Sequence, residues 1–207
     1  MRWLVLVLVS VFLFGYEVSI KSVNKNKAFL NETVQKGKSG IVLCPYNGMK
    51  IICARAVSFG DYAKLYTYDD LKNDAFALPL VKPKRGDGIV FGKDDKRIMI
   101  IAPTQTQYLK LKEKYKDSVV ISSDVFASYI DELPKKKNFI EFAKKMNIGK
   151  YIFVLDKIYE VDAYSFYVLN SFGSNSDKYK KIFFTTYPDF DIKSENIIKY
   201  YKKFIKE

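Results

Sequence analysis

Short stretches in which apolar and polar residues alternate constrain the first half of the chain more than any other feature. The series begins at residues 17–29, continues through IVLC and IICARAVSF, and ends with IMIIAP at Pro103. Alternation with a period of two predicts strands that bury one face. Several such strands, separated by Gly, Asp and Asn turns, predict a small barrel or sandwich. We therefore expect a β-rich, barrel-like domain over residues 16–103.

The pattern changes after Pro103. Residues 138–146 place apolar side chains on one helix face, and Thr104, Ser123 and Ser194 are each expected to cap a helix. Between these helices, β patterns are predicted at 118–122, 151–155, 158–172 and 182–187. Helices packed on a small mixed sheet predict an α+β domain over residues 104–207. The expected fold class is thus mixed β and α+β, a small barrel-like domain followed by an α+β domain.

The first fifteen residues predict the destination of the chain. Met1 and Arg2 precede the apolar run WLVLVLVSVFLF at residues 3–14, which is shorter than the roughly 20 residues that span a bilayer. A short positive start followed by such a run is typical of a secretory signal peptide, and Gly15 offers a small residue near the cleavage site. We expect residues 1–15 to be cleaved, leaving a protein of the periplasm or outer surface without a stable transmembrane span. A buried N-terminal strand and a retained signal anchor are the alternatives.

Composition excludes several classes of catalytic and metal site. The chain has no histidine and two cysteines, which rules out Ser-His-Asp and Cys-His nucleophile systems, His-ligated zinc and four-Cys zinc sites. No catalytic motif stands out, so we expect a binding protein with no enzyme activity, no cofactor and no metal. The formal net charge of +12 is typical of proteins that meet polyanions, but the lysines are spread along the chain, and for most of them we favour a role in solubility alone. Export makes envelope polyanions, anionic lipids or other proteins the expected partners, and not nucleic acid.

The two cysteines flank a hairpin signal. Cys44 and Cys53 lie on either side of Asn47-Gly48, a dipeptide that favours a tight β-turn. With Asn47-Gly48 at the turn centre, Cys44 faces Ile51 and lies diagonal to Cys53. With Gly48-Met49 at the centre, the cysteines face each other, the register that suits a disulfide without backbone shifts. A disulfide in an oxidising compartment and two buried thiols both remain open.

Five stretches resemble the N-terminal domain of the bacterial plasminogen-binding protein family, a group of exported proteins. In chain order they are GKSGIVL at 37–43, ICARAV at 52–57, RGDGIVF at 85–91, IMIIAP at 98–103 and DVFASYI at 124–130. The resemblance covers most of the chain from the end of the signal peptide to about residue 172. It implies binding of host plasminogen through lysines, although none of these stretches is itself a ligand site.

Lysine-binding kringle modules pair an ammonium with their carboxylates, so an exposed lysine next to a negative group is the feature to seek. The last helical pattern carries such lysines, and the chain ends Lys206-Glu207. The candidate ligand-binding residues are Lys199, Lys202, Lys203, Lys206 and Glu207. Lysines at spacings of three, four and seven also describe an ordinary solvated helix face.

Other functions fit parts of the sequence. The main alternative is a periplasmic scaffold or assembly factor whose partners are envelope proteins and which has no host ligand. A hydrolase of an envelope polymer would need converging carboxylates, for which Asp69-Asp70 and Asp94-Asp95 are the paired candidates. Arg85-Gly86-Asp87 has the form of an integrin tripeptide, although Gly86 and Gly88 predict a turn into a strand.

Overall fold

The computed structural model describes residues 15–68, 81–175, 179–187 and 190–207. Residues 1–14 of the signal peptide predicted at 1–15 and the pair Asp69-Asp70 lie outside these residues. The strands are β1 (Tyr16–Asn24), β2 (Lys27–Val34), β3 (Ser39–Tyr46), β4 (Met49–Ser58), β5 (Gly60–Thr67), β6 (Gly88–Phe91), β7 (Arg97–Ile101), β8 (Val119–Ile121), β9 (Lys150–Val154), β10 (Ile158–Asp162) and β11 (Val168–Phe172). The helices are α1 (Gln105–Lys114), α2 (Ser123–Ala127), α3 (Lys136–Met146) and α4 (Ile197–Lys202).

The first six strands form a closed barrel in the order β1-β2-β5-β4-β3-β6. Alternate residues such as Val18, Ile20 and Ala28 fill its core, as the period of two predicts. The expected barrel is confirmed, but residues 17–29 are not one strand. They contain all of β1 except Tyr16, a two-residue turn and the start of β2, and Lys25 takes a φ of 53° in that turn. A turn without glycine gave no sequence signal.

The β3–β4 hairpin has the predicted register with Asn47-Gly48 at the turn centre, and it also contains a disulfide. Asn47 and Gly48 form the turn with φ values of 47° and 79°, and Cys44 lies opposite Ile51. A bulge shifts the register between Val42 and Leu43, so that Cys53 is the extra residue on β4. Cys44 and Cys53 are bonded, with their Cα atoms 5.8 Å apart. The bulge supplies the backbone shift that a diagonal pair of cysteines requires.

The other strands form a mixed sheet in the order β11-β10-β9-β7-β8. β7 pairs in parallel with β8 and β9, while β10 is antiparallel to its two neighbours. The helices cover this sheet, and Phe126, Phe139 and Phe153 lie in the core between them. The expected α+β part is therefore confirmed. β7 lies in this sheet, although its sequence pattern places it with residues 16–103, and the division into two domains stays a prediction.

The starts of two helices differ by one or two residues from the predicted caps. Thr104 caps α1 as predicted, since its side chain accepts a hydrogen bond from the Gln107 N–H. α2 is capped by Ser122 and not by Ser123, whose hydroxyl donates to Phe184 O instead. α4 is capped by Asn196 and not by Ser194. Adjacent Ser and Asn residues all favour capping, so tertiary contacts select among them.

Two predicted β patterns also differ from the structure. Residues 158–172 form the hairpin β10–β11 and not one long strand, because Asp162 accepts hydrogen bonds from the Tyr164 and Ser165 N–H groups and turns the chain. Residues 182–187 belong to no sheet. Their backbone groups form hydrogen bonds outside any strand ladder; for example, the Phe184 N–H donates to Ala102 O at 2.6 Å. Tertiary partners override the β propensity of this stretch.

A buried hydrogen-bond network joins the barrel to the mixed sheet. The Ser39 N–H and hydroxyl donate to Asp162 Oδ2 at 2.8 and 2.7 Å, and the Ser165 hydroxyl donates to Gly37 O at 2.5 Å. Gly37 has a φ of 84°, and the Tyr167 side chain occupies the space that a Cβ would fill. Only glycine can both take this φ and leave room for the Tyr167 side chain. Gly37 therefore allows Tyr167 to pack against the barrel.

In the part of the chain that the structure describes, no helix has the length and apolar composition needed to cross a membrane.

Candidate functional site

The predicted lysines lie on a C-terminal segment that is anchored through its buried face. The Asn196 side chain accepts a hydrogen bond from the Lys199 N–H at 2.9 Å and starts α4. Ile197 and Tyr201 face the core and are buried, and the Tyr201 hydroxyl donates to Ile182 O at 3.0 Å. The buried face fixes the helix, so its lysines are presented to solvent from a defined backbone.

The helix does not extend to Lys206. α4 ends at Lys202, and Lys206 forms a parallel bridge with Tyr167. Its N–H donates to Phe166 O at 2.8 Å, and its carbonyl accepts from the Val168 N–H at 2.9 Å. The expected single helix face is therefore replaced by a short helix followed by a segment clamped to the start of β11.

All five predicted residues are exposed, but their partners differ. Lys202 Nζ donates to Asp156 Oδ2 at 2.6 Å, and Asp156 also accepts from the Tyr159 hydroxyl at 3.1 Å. Burial works to raise the pKa of Asp156, but the hydrogen bonds it accepts, first that from Lys202, together with the charge of Lys202 outweigh this effect and the pKa is lowered. The same hydrogen bond raises the pKa of Lys202. Lys202 thus already has an internal carboxylate partner.

The remaining ammonium groups are not paired in this way. Lys203 Nζ lies 4.3 Å from the Tyr200 ring centre, and Lys206 Nζ lies 5.2 Å from that of Tyr167. Among the described residues, no carboxylate forms an ion pair with Lys199, Lys203 or Lys206. Their charges are open to an external partner.

Sequence reasoning missed a fifth lysine at this site. Lys136, the first residue of α3, donates from Nζ to Phe204 O at 3.0 Å and lies 4.6 Å from the Phe166 ring centre. Burial, and then the charge of Lys206, lower the pKa of Lys136 to about 8. Its distance of 70 residues along the chain from Lys206 explains why no spacing pattern revealed it.

The integrin-like tripeptide is a turn. Gly86 has a φ of 90°, and Asp87 is 5% exposed. Asp87 Oδ2 accepts a hydrogen bond from the Lys84 N–H at 2.8 Å. The carboxylate forms a hydrogen bond within the turn, which agrees with the turn that the sequence predicts for this motif.

A cleft of about 370 Å³ lies between the barrel and the mixed sheet. The charged residues of its lining are Arg55, Lys93, Asp94 and Arg97. Both Nε and Nη2 of Arg97 donate to Met146 O, and the Arg55 guanidinium lies 3.5 Å from the Tyr164 ring centre. The cleft is basic, and its two guanidinium groups have internal partners.

The pair Asp94-Asp95 is divided between two environments. Asp94 lines this cleft, whereas Asp95 Oδ2 accepts a hydrogen bond from Lys38 Nζ at 2.5 Å. Among the residues that the structure describes, no group of three or more cysteine, aspartate or glutamate side chains is placed to hold a metal ion.

Comparison with protein families identifies the chain. Residues 15–204 match the family described as "Plasminogen-binding protein pgbA N-terminal". The comparisons with curated proteins and with solved structures gave no significant match. The family match includes all five stretches that carry the resemblance and extends beyond residue 172 through the whole of α4. The chain therefore belongs to the plasminogen-binding protein pgbA N-terminal family.

Proposed function

We propose that this protein is exported and binds host plasminogen through exposed lysines of its C-terminal segment. The description of its family names plasminogen binding. The observation that carries the proposal is the presentation of Lys206, whose backbone is clamped by two hydrogen bonds while its side chain is exposed. A lysine on a fixed backbone loses little backbone entropy when a kringle carboxylate binds it.

The contacts of each candidate lysine determine how much it is expected to contribute to plasminogen binding. Lys202 must break its 2.6 Å hydrogen bond with Asp156 before it can meet another carboxylate, whereas Lys199 and Lys206 have no such bond to lose. Breaking a charge-assisted bond costs binding energy. We therefore assign the main contribution to Lys199, Lys203 and Lys206, and a smaller one to Lys202. Glu207 supplies a neighbouring negative charge.

The test is plasminogen binding by the variant K199Q/K206Q, measured by surface plasmon resonance. A charge-assisted hydrogen bond is worth about 1.5–3 kcal/mol, so we expect affinity to fall by about tenfold or more. K202Q alone should weaken binding less than K206Q alone, and a soluble lysine analogue should compete with the wild type. Substitution is preferable to truncation, because removing Lys206 also removes two backbone hydrogen bonds.

A matched control is available on α1. Lys110 and Lys112 are exposed and lie outside the C-terminal segment, so K110Q/K112Q makes the same change in net charge. Plasminogen binding that is unchanged in K199Q/K206Q, or weakened equally in the control, contradicts the proposed site.

Export rests on the predicted signal segment and is supported by the Cys44–Cys53 bond, since disulfides persist in oxidising compartments. Sequencing the amino terminus of protein purified from a cell envelope tests it. A terminus near residue 16 is expected, and an intact Met1 on a soluble cytosolic product contradicts export.

The alternative function, a periplasmic scaffold with no host ligand, is favoured by one observation. Tyr46 and Met49 face each other at the tip of the β3–β4 hairpin and are 41% and 65% exposed, which suits an apolar protein contact. Protease added to intact cells separates the two functions. Degradation of the protein supports plasminogen binding at the surface, and protection supports the scaffold.

A further inference from the structure

A continuous row of aromatic rings crosses from the barrel to the mixed sheet. Phe29 and Tyr62 have ring centres 6.3 Å apart, Tyr62 and Phe59 stack at 5.4 Å with planes 8° apart, and Phe59 meets Tyr167 edge-on at 6.0 Å. These four rings belong to β2, β5, the turn before β5, and the residue before β11. We call them, together with the lysines described next, the aromatic–lysine ladder.

Four lysines complete the ladder. Lys27 Nζ lies 5.1 Å from the Tyr62 ring centre, and Lys64 Nζ lies 5.3 Å from that of Tyr66. At the other end, Lys36 and Lys206 lie 5.1 and 5.2 Å from the same Tyr167 ring. Cation–π contacts of this kind hold ammonium groups in place at the surface.

The ladder crowds like charges. Lys27 and Lys64 are direct cross-strand partners in the β2–β5 pair, and like charges directly opposite each other destabilise a sheet. Lys36 and Lys206 share one ring. No described carboxylate forms an ion pair with any of these four lysines. Repulsion between these lysines opposes the arrangement, whereas a bound polyanion would neutralise their charges.

From this geometry, we propose that the aromatic–lysine ladder binds a linear acidic polysaccharide, with its carboxylate or sulfate groups on the lysines. The ladder is a row and not a broad patch, which suits an extended polymer. Nucleobases would need a bare ring face for stacking, but Tyr62 is stacked on Phe59 and also contacted by Lys27. A membrane would need protruding apolar side chains, and of the four rings only Phe29, at 39%, counts as exposed.

The ladder differs from the proposed plasminogen surface and shares only Lys206 with it. The variant K27Q/K36Q/K64Q therefore tests the ladder while leaving Lys199, Lys202, Lys203 and Lys206 intact. The probe is a heparin-derived oligosaccharide, and binding to the purified protein is measured between 50 and 200 mM salt. Each lysine that neutralises an anion contributes about 0.9 to the slope of log affinity against log salt on DNA, and a comparable contribution is expected here.

We expect the wild type to bind the oligosaccharide and not neutral dextran. K27Q/K36Q/K64Q should lose about tenfold or more in affinity, with the salt slope reduced by about two to three. The control K110Q/K112Q/K116Q removes the same charge from exposed positions near α1 and should change affinity by less than about twofold. Urea unfolding of both variants verifies that they remain folded.

Three results overturn the proposal: no binding by the wild type, an equal loss in the two triple variants, or tighter binding of a single-stranded oligothymidylate or of phosphatidylglycerol vesicles than of the oligosaccharide. Plasminogen binding by K27Q/K36Q/K64Q is expected to stay unchanged, so a failure of the ladder and a failure of the plasminogen proposal are separable.

Discussion

Lys136 shows how single residues at the C-terminal segment influence each other. Its ammonium is half-buried between the Phe166 ring and the carbonyl of Phe204, and Lys206 adds a like charge nearby. Burial disfavours the charged form, and the neighbouring charge adds to this effect. Part of the Lys136 population is therefore neutral slightly above physiological pH.

A titration of Lys136 tests this coupling. In K206Q the pKa of Lys136 should rise from about 8 towards 10.5, but by less than half of that interval, because burial is the larger cause and stays unchanged. NMR of the lysine side-chain signals measures the shift, and K199Q serves as the control in which no shift is expected. An unchanged pKa in K206Q contradicts the electrostatic coupling.

The same group affects stability with a defined sign. Its pKa is lower in the folded protein, so between about pH 8 and 10.5 the unfolded chain binds more protons at this position. The free energy of unfolding contributed by Lys136 therefore rises with pH across that window. Chemical denaturation at pH 7 and 10 measures the free energy of unfolding of the wild type and of K136M. The difference between the two proteins should shift in favour of the wild type at pH 10.

At the scale of elements, the β3–β4 hairpin depends on both a turn and a covalent bond. The Asn47-Gly48 turn sets the register, and the bulge at Cys53 brings its sulfur to Cys44. The bond closes a loop with a sequence separation of nine residues. Such a cross-link restricts the unfolded chain and stabilises the folded one.

Removing the bond should destabilise the barrel by about 2–3 kcal/mol, as expected for a loop of this length. Urea unfolding of the protein with and without reductant, and of C44A/C53A, measures the loss. Mass spectrometry after alkylation provides the covalent control, since the oxidised protein should take up no label. Two alkylated cysteines in the unreduced protein contradict the bond.

The elements also show what the sequence could predict. Alternation predicts the barrel strands because each buries one face, and Asn-Gly predicts the hairpin because its backbone geometry is local. The irregular backbone of residues 182–187 was not predictable, since it depends on a partner distant in sequence, Ala102. The bulge at Cys53 was not predictable either, because no residue pattern in the β3–β4 hairpin marks the extra residue. Four lysines of the candidate site were predicted from the C-terminal pattern, but Lys136 and the Asp156 and Tyr167 contacts that distinguish these lysines were not.

At the scale of the whole molecule, the barrel and the mixed sheet depend on the buried carboxylate of Asp162. Its two oxygens accept four hydrogen bonds, from the N–H and hydroxyl of Ser39 and from the N–H groups of Tyr164 and Ser165. A neutral amide could not accept all of them, because its NH₂ group would face donors.

The variant D162N should therefore lower the free energy of unfolding by about 2–4 kcal/mol, the cost of leaving one or two buried donors unsatisfied. Urea denaturation measures this loss. D117N, which removes the same charge from an exposed site, should stay within about 0.5 kcal/mol of the wild type. Equal stability of D162N and the wild type contradicts the role assigned to this carboxylate.

Closure of the barrel has a consequence for biogenesis. The first strand pairs with β2, but also with β6, and the contact Tyr16–Phe91 joins the two ends of the barrel sequence. During synthesis or translocation, β1 emerges long before β6. Until β6 emerges, the backbone N–H and C=O groups along one edge of β1 have no hydrogen-bond partner in the barrel. Such a delay exposes a strand to wrong partners, so a chaperone that shields nascent β1 until residue 91 has appeared should increase the yield of native protein.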